Sequence, residues 1–124
     1  MIDTASAIDR PPRVLMVEDE MVLALLLCDV FRAAGFDVVP VGRMPDAERA
    51  AMQAFDAAVL DINIGGQLVY PVAHILRGRG VPFLFASAYG AMGLPEEFRD
   101  VRVMQKPYAP DLLVDAVTDL LRPH

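Results

Sequence analysis

Apolar residues in this chain fall into short unbroken runs separated by longer stretches with helical spacing. Val14-Leu15-Met16-Val17 is the first run, of the kind expected for a strand covered on both faces, and it stops abruptly at Glu18-Asp19-Glu20. Met21 to Ala34, rich in Leu and Ala and closed by Gly35, predicts a helix with a left-handed stop. Phe36 to Val41 predicts a second strand, and residues 46–52 a short helix opening just after Met44-Pro45. Ala57 to Leu60 predicts a third buried strand, which also ends in an acid, Asp61. Gly65-Gly66 marks a loop, and Leu68 to Arg77 predicts a helix with Pro71 near its start. Val81 to Ala86 predicts a fourth strand that tolerates Pro82 near its beginning and ends at Ser87. Between Tyr89 and Asp100, Gly90, Gly93 and Pro95 oppose regular structure, so only a short helix around Pro95 to Phe98 is expected, in a weakly held segment. Val101 to Met104 predicts a fifth strand. Asp111 to Leu121, apolar at 112, 113, 116, 117, 120 and 121, predicts an amphipathic helix.

Five alternations of strand and helix predict an α/β domain with one parallel sheet and helices on both faces. A length of 124 residues, 55% of them hydrophobic, accommodates one such domain and fills its core. A formal net charge of -6 argues against binding nucleic acid through its phosphates. No run reaches the length of a membrane span, and the first residues lack a signal-peptide core. Cys28 is the only cysteine, which excludes an internal disulfide and suits a reducing, cytoplasmic setting; it reads as a small apolar helix residue.

Candidate chemistry gathers where the strands end. Lys106 is the only lysine among 11 basic residues, the rest being arginine. Its ammonium is a compact, mobile point charge suited to a phosphate-type oxyanion. In a parallel sheet, ligands bind beyond the carboxyl ends of the strands. Glu18 and Asp19, Asp61, Ser87 and Lys106 all fall at such ends, so folding is expected to bring them together. Crowded carboxylates require a cation, and hard oxygen donors without His or Cys favour Mg²⁺. With a lysine and a divalent ion nearby, one carboxylate can attack a phosphoryl group while Ser87 donates to one of its oxygens.

This ordered set resembles the receiver domain of two-component response regulators, over residues 12 to 122. The domain is accordingly placed at 12–124, behind a flexible leader at 1–11. The resemblance implies a flavodoxin-like doubly wound sheet of strand order 2-1-3-4-5 and a stand-alone signalling protein that is not an enzyme. It also implies that Asp61 accepts a phosphoryl group from a sensor histidine kinase, and that a downstream protein reads the result without nucleic acid or membrane. By the same resemblance Asp19 and Asp61 ligate Mg²⁺ directly, Asn63 through its backbone carbonyl, and Glu18 through water. Ser87 recognises the phosphoryl group, Lys106 bonds it, and Pro107 follows a cis bond. The common aromatic three residues before the lysine is here Val103. Phe85-Ala86-Ser87-Ala88-Tyr89 instead resembles the Phe-Ala-Thr-Gly-Tyr motif of an atypical subgroup, which implies Tyr89 as the switch aromatic. Because Gly90, Gly93 and Pro95 leave the following segment weakly held, phosphorylation is expected to order it and to make the surface from Ala88 to Met104 the output. Two other readings stay open: a receiver-like adaptor that never takes phosphate, and a haloacid dehalogenase-type phosphatase. The second has its nucleophile ahead of the acidic pair, the reverse of the order here.

Overall fold

A computed structural model describes residues 10–123; most of the expected leader, residues 1–9, lies outside them. Five parallel strands form the sheet: β1 (Arg13–Val17), β2 (Asp37–Val41), β3 (Ala57–Asp61), β6 (Phe83–Ser87) and β7 (Val103–Gln105), in the order β2-β1-β3-β6-β7. Among these strands that is the 2-1-3-4-5 arrangement. A two-stranded antiparallel hairpin, β4 (Asn63–Ile64) with β5 (Gln67–Leu68), is inserted after β3. The helices are α1 (Met21–Ala33), α2 (Met44–Ala50), α3 (Tyr70–Gly78) and α4 (Pro110–Leu121), with a single 3-10 turn at Glu96–Phe98. No helix among the described residues is long and apolar enough to cross a membrane.

Side chains alternate across a strand, and the two cores follow that parity. Val14 and Met16 of β1, with Ala57 and Val59 of β3, pack under α1 and α4 against Leu27, Phe31, Leu113 and Val117. Leu15, Val17, Ala58 and Leu60 face the other way, towards Ala47 of α2 and Val72 and Leu76 of α3. The central strands β3 and β6 are buried along their whole length, which is why their sequences are continuous apolar runs instead of alternating ones. Strand β2 lies at an edge and accommodates Pro40, whose missing N–H would break a ladder on an interior strand. Each buried Leu, Val or Phe contributes about 1.5–3 kcal/mol.

Three details differ from the periodicity. α2 starts at Met44 because Pro45 occupies the first turn, where its missing N–H needs no partner. α3 starts at Tyr70, not Leu68, because Gln67 and Leu68 are spent on the hairpin. The segment after Ser87 is better held than its Gly and Pro content implies. Phe98 is 0% exposed and packs among Tyr70, His74, Phe83 and Phe85 at centroid distances of 5.0–6.1 Å. Arg77 of α3 donates to the Glu97 carbonyl and to both Asp100 oxygens, and its guanidinium lies 5.0 Å from the Phe98 ring centre. The exposed large apolar side chains of that segment are Tyr89 and Met92.

Candidate phosphoacceptor site

The strand ends converge as parallel topology requires. β1 runs into Glu18 and Asp19, β3 ends on Asp61, β6 on Ser87, and β7 leads into Lys106. Register fixes their heights: Val17 pairs with Leu60, Asp61 with Ala86, and Ser87 with Gln105. The Lys106 N–H donates to the Ser87 carbonyl at 2.8 Å, which ties the last strand end to its neighbour. Lys106-Pro107 is cis, as the sequence led us to expect.

Lys106 Nζ lies 2.9 Å from Asp61 Oδ2 and 3.0 Å from Glu18 Oε1. Glu18 is 4% exposed. Its second oxygen, Oε2, accepts the Glu20 N–H at 3.0 Å, while its own N–H donates to the Val41 carbonyl. Burial pushes the Glu18 carboxyl above the usual range, against the lowering effect of the Glu20 N–H and Lys106. Burial also works against the Lys106 ammonium, but hydrogen bonds and attraction from Asp61 and Glu18 outweigh it and hold the lysine above its ordinary range. Burial of the nearby Tyr108 phenol raises it to about 12.

Glu18, Asp19 and Asp61 each bring one carboxylate oxygen within 4.8 Å of the others. Three carboxylates and one ammonium leave two negative charges, a match for one divalent cation. The donors are all hard oxygens, which fits Mg²⁺. Among the described residues no hydrogen bond reaches Oδ1 of Asp19 or Asp61, so these two atoms remain open towards a cation.

Ser87 is buried, and its Oγ accepts the Tyr89 N–H at 3.0 Å, leaving its hydroxyl hydrogen available to another acceptor. It lines a cleft of about 450 Å³ together with Asp61, Asn63, Lys106, Tyr89 and Met92. Tyr89 is 75% exposed beside this cleft, not packed inward. Asn63 turns its side chain to its own hairpin, accepting the Gly66 N–H at 3.0 Å.

The hairpin is the component that sequence reasoning missed. Gly65 and Gly66 have φ of 58° and 84°, the paired left-handed geometry of a two-residue turn whose twist matches the flanking strands. The turn aims the Gly65 N–H at Asp19 Oδ2, 2.8 Å away. Gly-Gly between two residue pairs was a legible hairpin signal; its contact with Asp19, 46 positions away, was not. A Cβ on Gly65 meets nothing within 4 Å, so Gly65→Ala isolates the backbone cost, expected at about 1–2 kcal/mol in denaturant unfolding.

No protein-family model matches the chain, and no curated protein does. Solved structures do. SdrG from Sphingomonas melonis is 35% identical, with a TM-score of 0.73 over 90% of this chain and 98% of that one. A response regulator receiver protein from Sinorhizobium medicae is 26% identical, with a TM-score of 0.77 over 90% and 95%. The receiver domain of a sensor histidine kinase from Pseudomonas aeruginosa, with magnesium coordinated in its active site cleft, is 22% identical, with a TM-score of 0.74 over 90% and 98%.

Proposed function

We propose that this chain, which belongs to the receiver domains of two-component response regulators, takes a phosphoryl group onto Asp61 from a sensor histidine kinase and passes the signal on by noncovalent contact. The observation that carries this reading is Lys106 Nζ, held 2.9 Å from Asp61 in a pocket that also contains Asp19, Glu18 and Ser87. Asp61 is the nucleophile. Its oxygen bonds to phosphorus as the donor's P–N bond breaks, and the donor nitrogen leaves with the electron pair. Lys106 and the Ser87 hydroxyl stabilise the oxygens of the group in transfer, and the partly closed cleft limits water. Asp19, Asp61, the Asn63 backbone carbonyl and, through water, Glu18 would hold Mg²⁺, which when bound offsets the charge between incoming phosphoryl group and carboxylates.

Asp61 phosphorylation adds charge and acceptor oxygens. Drawing Ser87 Oγ towards them breaks its bond with the Tyr89 N–H, which supports Tyr89 as the switch and the surface from Ala88 to Met104 as the output. Phe85-Ala86-Ser87-Ala88-Tyr89 supports kinship with the Phe-Ala-Thr-Gly-Tyr subgroup. Met21, Val22, Leu25 and Leu26 of α1 and Leu112 of α4 are exposed apolar residues. They support docking of the kinase across α1, the loop after Ser87 and the start of α4.

Incubation with Mg²⁺ and phosphoramidate is expected to add the mass of one phosphoryl group. Asp61→Asn, or chelation of the metal, is expected to abolish the gain. An unchanged wild-type mass would favour an adaptor that never takes phosphate.

A further inference from the structure

We infer that Tyr70 is a coupling residue, the ring through which a change in the phosphoacceptor cleft is felt by the turn at Glu96–Phe98. This rests on the phosphoacceptor reading and adds a route that Tyr89 does not provide. Tyr70 is half-buried at the first position of α3, just before Pro71. It lines the cleft of about 450 Å³ together with Asp61, Ser87 and Lys106. The Phe98 ring centre lies 5.6 Å from that of Tyr70, with the planes only 24° apart, and the Phe85 ring meets it edge-on at 5.8 Å and 83°. One ring is therefore both a wall of the cleft and a member of the aromatic cluster that holds the turn.

The route follows from strand parity and close packing. Phe85 and Ser87 lie two residues apart on β6, so their side chains leave the strand on the same face. A shift of Ser87 towards a phosphoryl group alters the packing beside Phe85, against which Tyr70 rests, and a close-packed interior transmits such a strain. Phe98 has no room to absorb it. The ring is 0% exposed, and Arg77 fixes its turn through the Glu97 carbonyl and Asp100. Displacement of Tyr70 therefore changes how firmly the turn is held. Tyr89 stands elsewhere: it is exposed, and its N–H bond to Ser87 Oγ bears on its own neighbours, residues 88–94. The surface after Ser87 thus has two parts with separate triggers. Every contact on the Tyr70 route is made by the ring, so a phenylalanine in its place preserves it.

Amide exchange read by mass spectrometry, with and without Mg²⁺ and excess phosphoramidate, tests this in wild type, Tyr70→Phe and Tyr70→Leu. Intact mass gives the phosphorylated fraction, and each variant is compared with its own unphosphorylated state. In wild type, phosphorylation is expected to change exchange by about fivefold or more at both 88–94 and 96–101. Tyr70→Phe is expected to keep both responses, Tyr70→Leu only the first. Ring-labelled tyrosine supplies a second readout, since the chain has three tyrosines. The Tyr70 signal is expected to move on phosphorylation of wild type, and Phe98→Leu to cut that movement by about half or more, because coupling is reciprocal. A wild-type response at 96–101 in Tyr70→Leu, or its loss in Tyr70→Phe, would overturn the inference. So would a Tyr70 signal that stays in place, or one that moves as far in Phe98→Leu as in wild type. Failure of wild type to gain mass defeats the phosphoacceptor reading and this route with it; a normal mass gain with exchange unchanged at 96–101 defeats the route alone.

Discussion

Phe98→Ala is expected to cost about 3–5 kcal/mol, the range for removing a fully buried aromatic ring, although Phe98 lies in a segment whose only regular structure is one 3-10 turn. The ring closes the core face formed by α2 and α3 and touches Phe83 and Phe85 of the central sheet. It also carries one side of the cation–π contact with Arg77, so its removal loosens the ion pair with Asp100. The loss is read as a drop in the denaturant midpoint with an unchanged slope. Amide exchange should accelerate from Leu94 to Val101 beyond what the global change explains. Phe98→Leu, which keeps most of the volume, is expected to cost under about 1.5 kcal/mol. Equal losses for both variants would contradict a packing role.

Lys106→Met is the second large effect. It leaves Glu18, Asp19 and Asp61 within 4.8 Å of one another with no ammonium between them. Breaking a buried ion pair costs 3–5 kcal/mol; because the Lys106 side chain keeps 24% of its exposure, about 2 kcal/mol is expected in metal-free solution. Mg²⁺ removes most of that deficit, since a divalent cation relieves the same repulsion, so the variant should show the larger rise in melting temperature on adding Mg²⁺. Its Mg²⁺ affinity should rise and its phosphoryl uptake fall. Adding Asp61→Asn should return stability towards wild type, because one of the crowded charges is gone. A Lys106→Met protein as stable as wild type without metal would show that water, not lysine, screens the three acids.

Much of this molecule was legible without coordinates. Unbroken apolar runs at 14–17 and 57–60 read as strands covered on both faces, and the apolar spacing of 112 to 121 as an amphipathic helix. Polar residues placed just after those runs must then gather at one sheet edge, which is why Asp19, Asp61, Ser87 and Lys106 were found together before the structure placed them. Between 88 and 100 the expected short helix is present as the turn at Glu96–Phe98, but Gly and Pro report backbone freedom and say nothing of how firmly Phe98 is held, since its burial depends on Tyr70, His74, Phe83 and Phe85. The start of α3 was misplaced because Gln67 and Leu68 obey the hairpin turn, a competing local rule.

The chain's own chemistry thus determined the elements, their order and the residues at the strand ends, since periodicity and turn preference act over a few neighbouring positions. Which side chains meet was decided only by the tertiary structure. Lys106 reaches Glu18 across 88 positions and Asp61 across 45, and the Gly65 N–H finds Asp19 across 46. Contacts of that kind turn on tenths of an ångström in side-chain reach and on which oxygen is already taken, quantities that exist only once the strands are side by side.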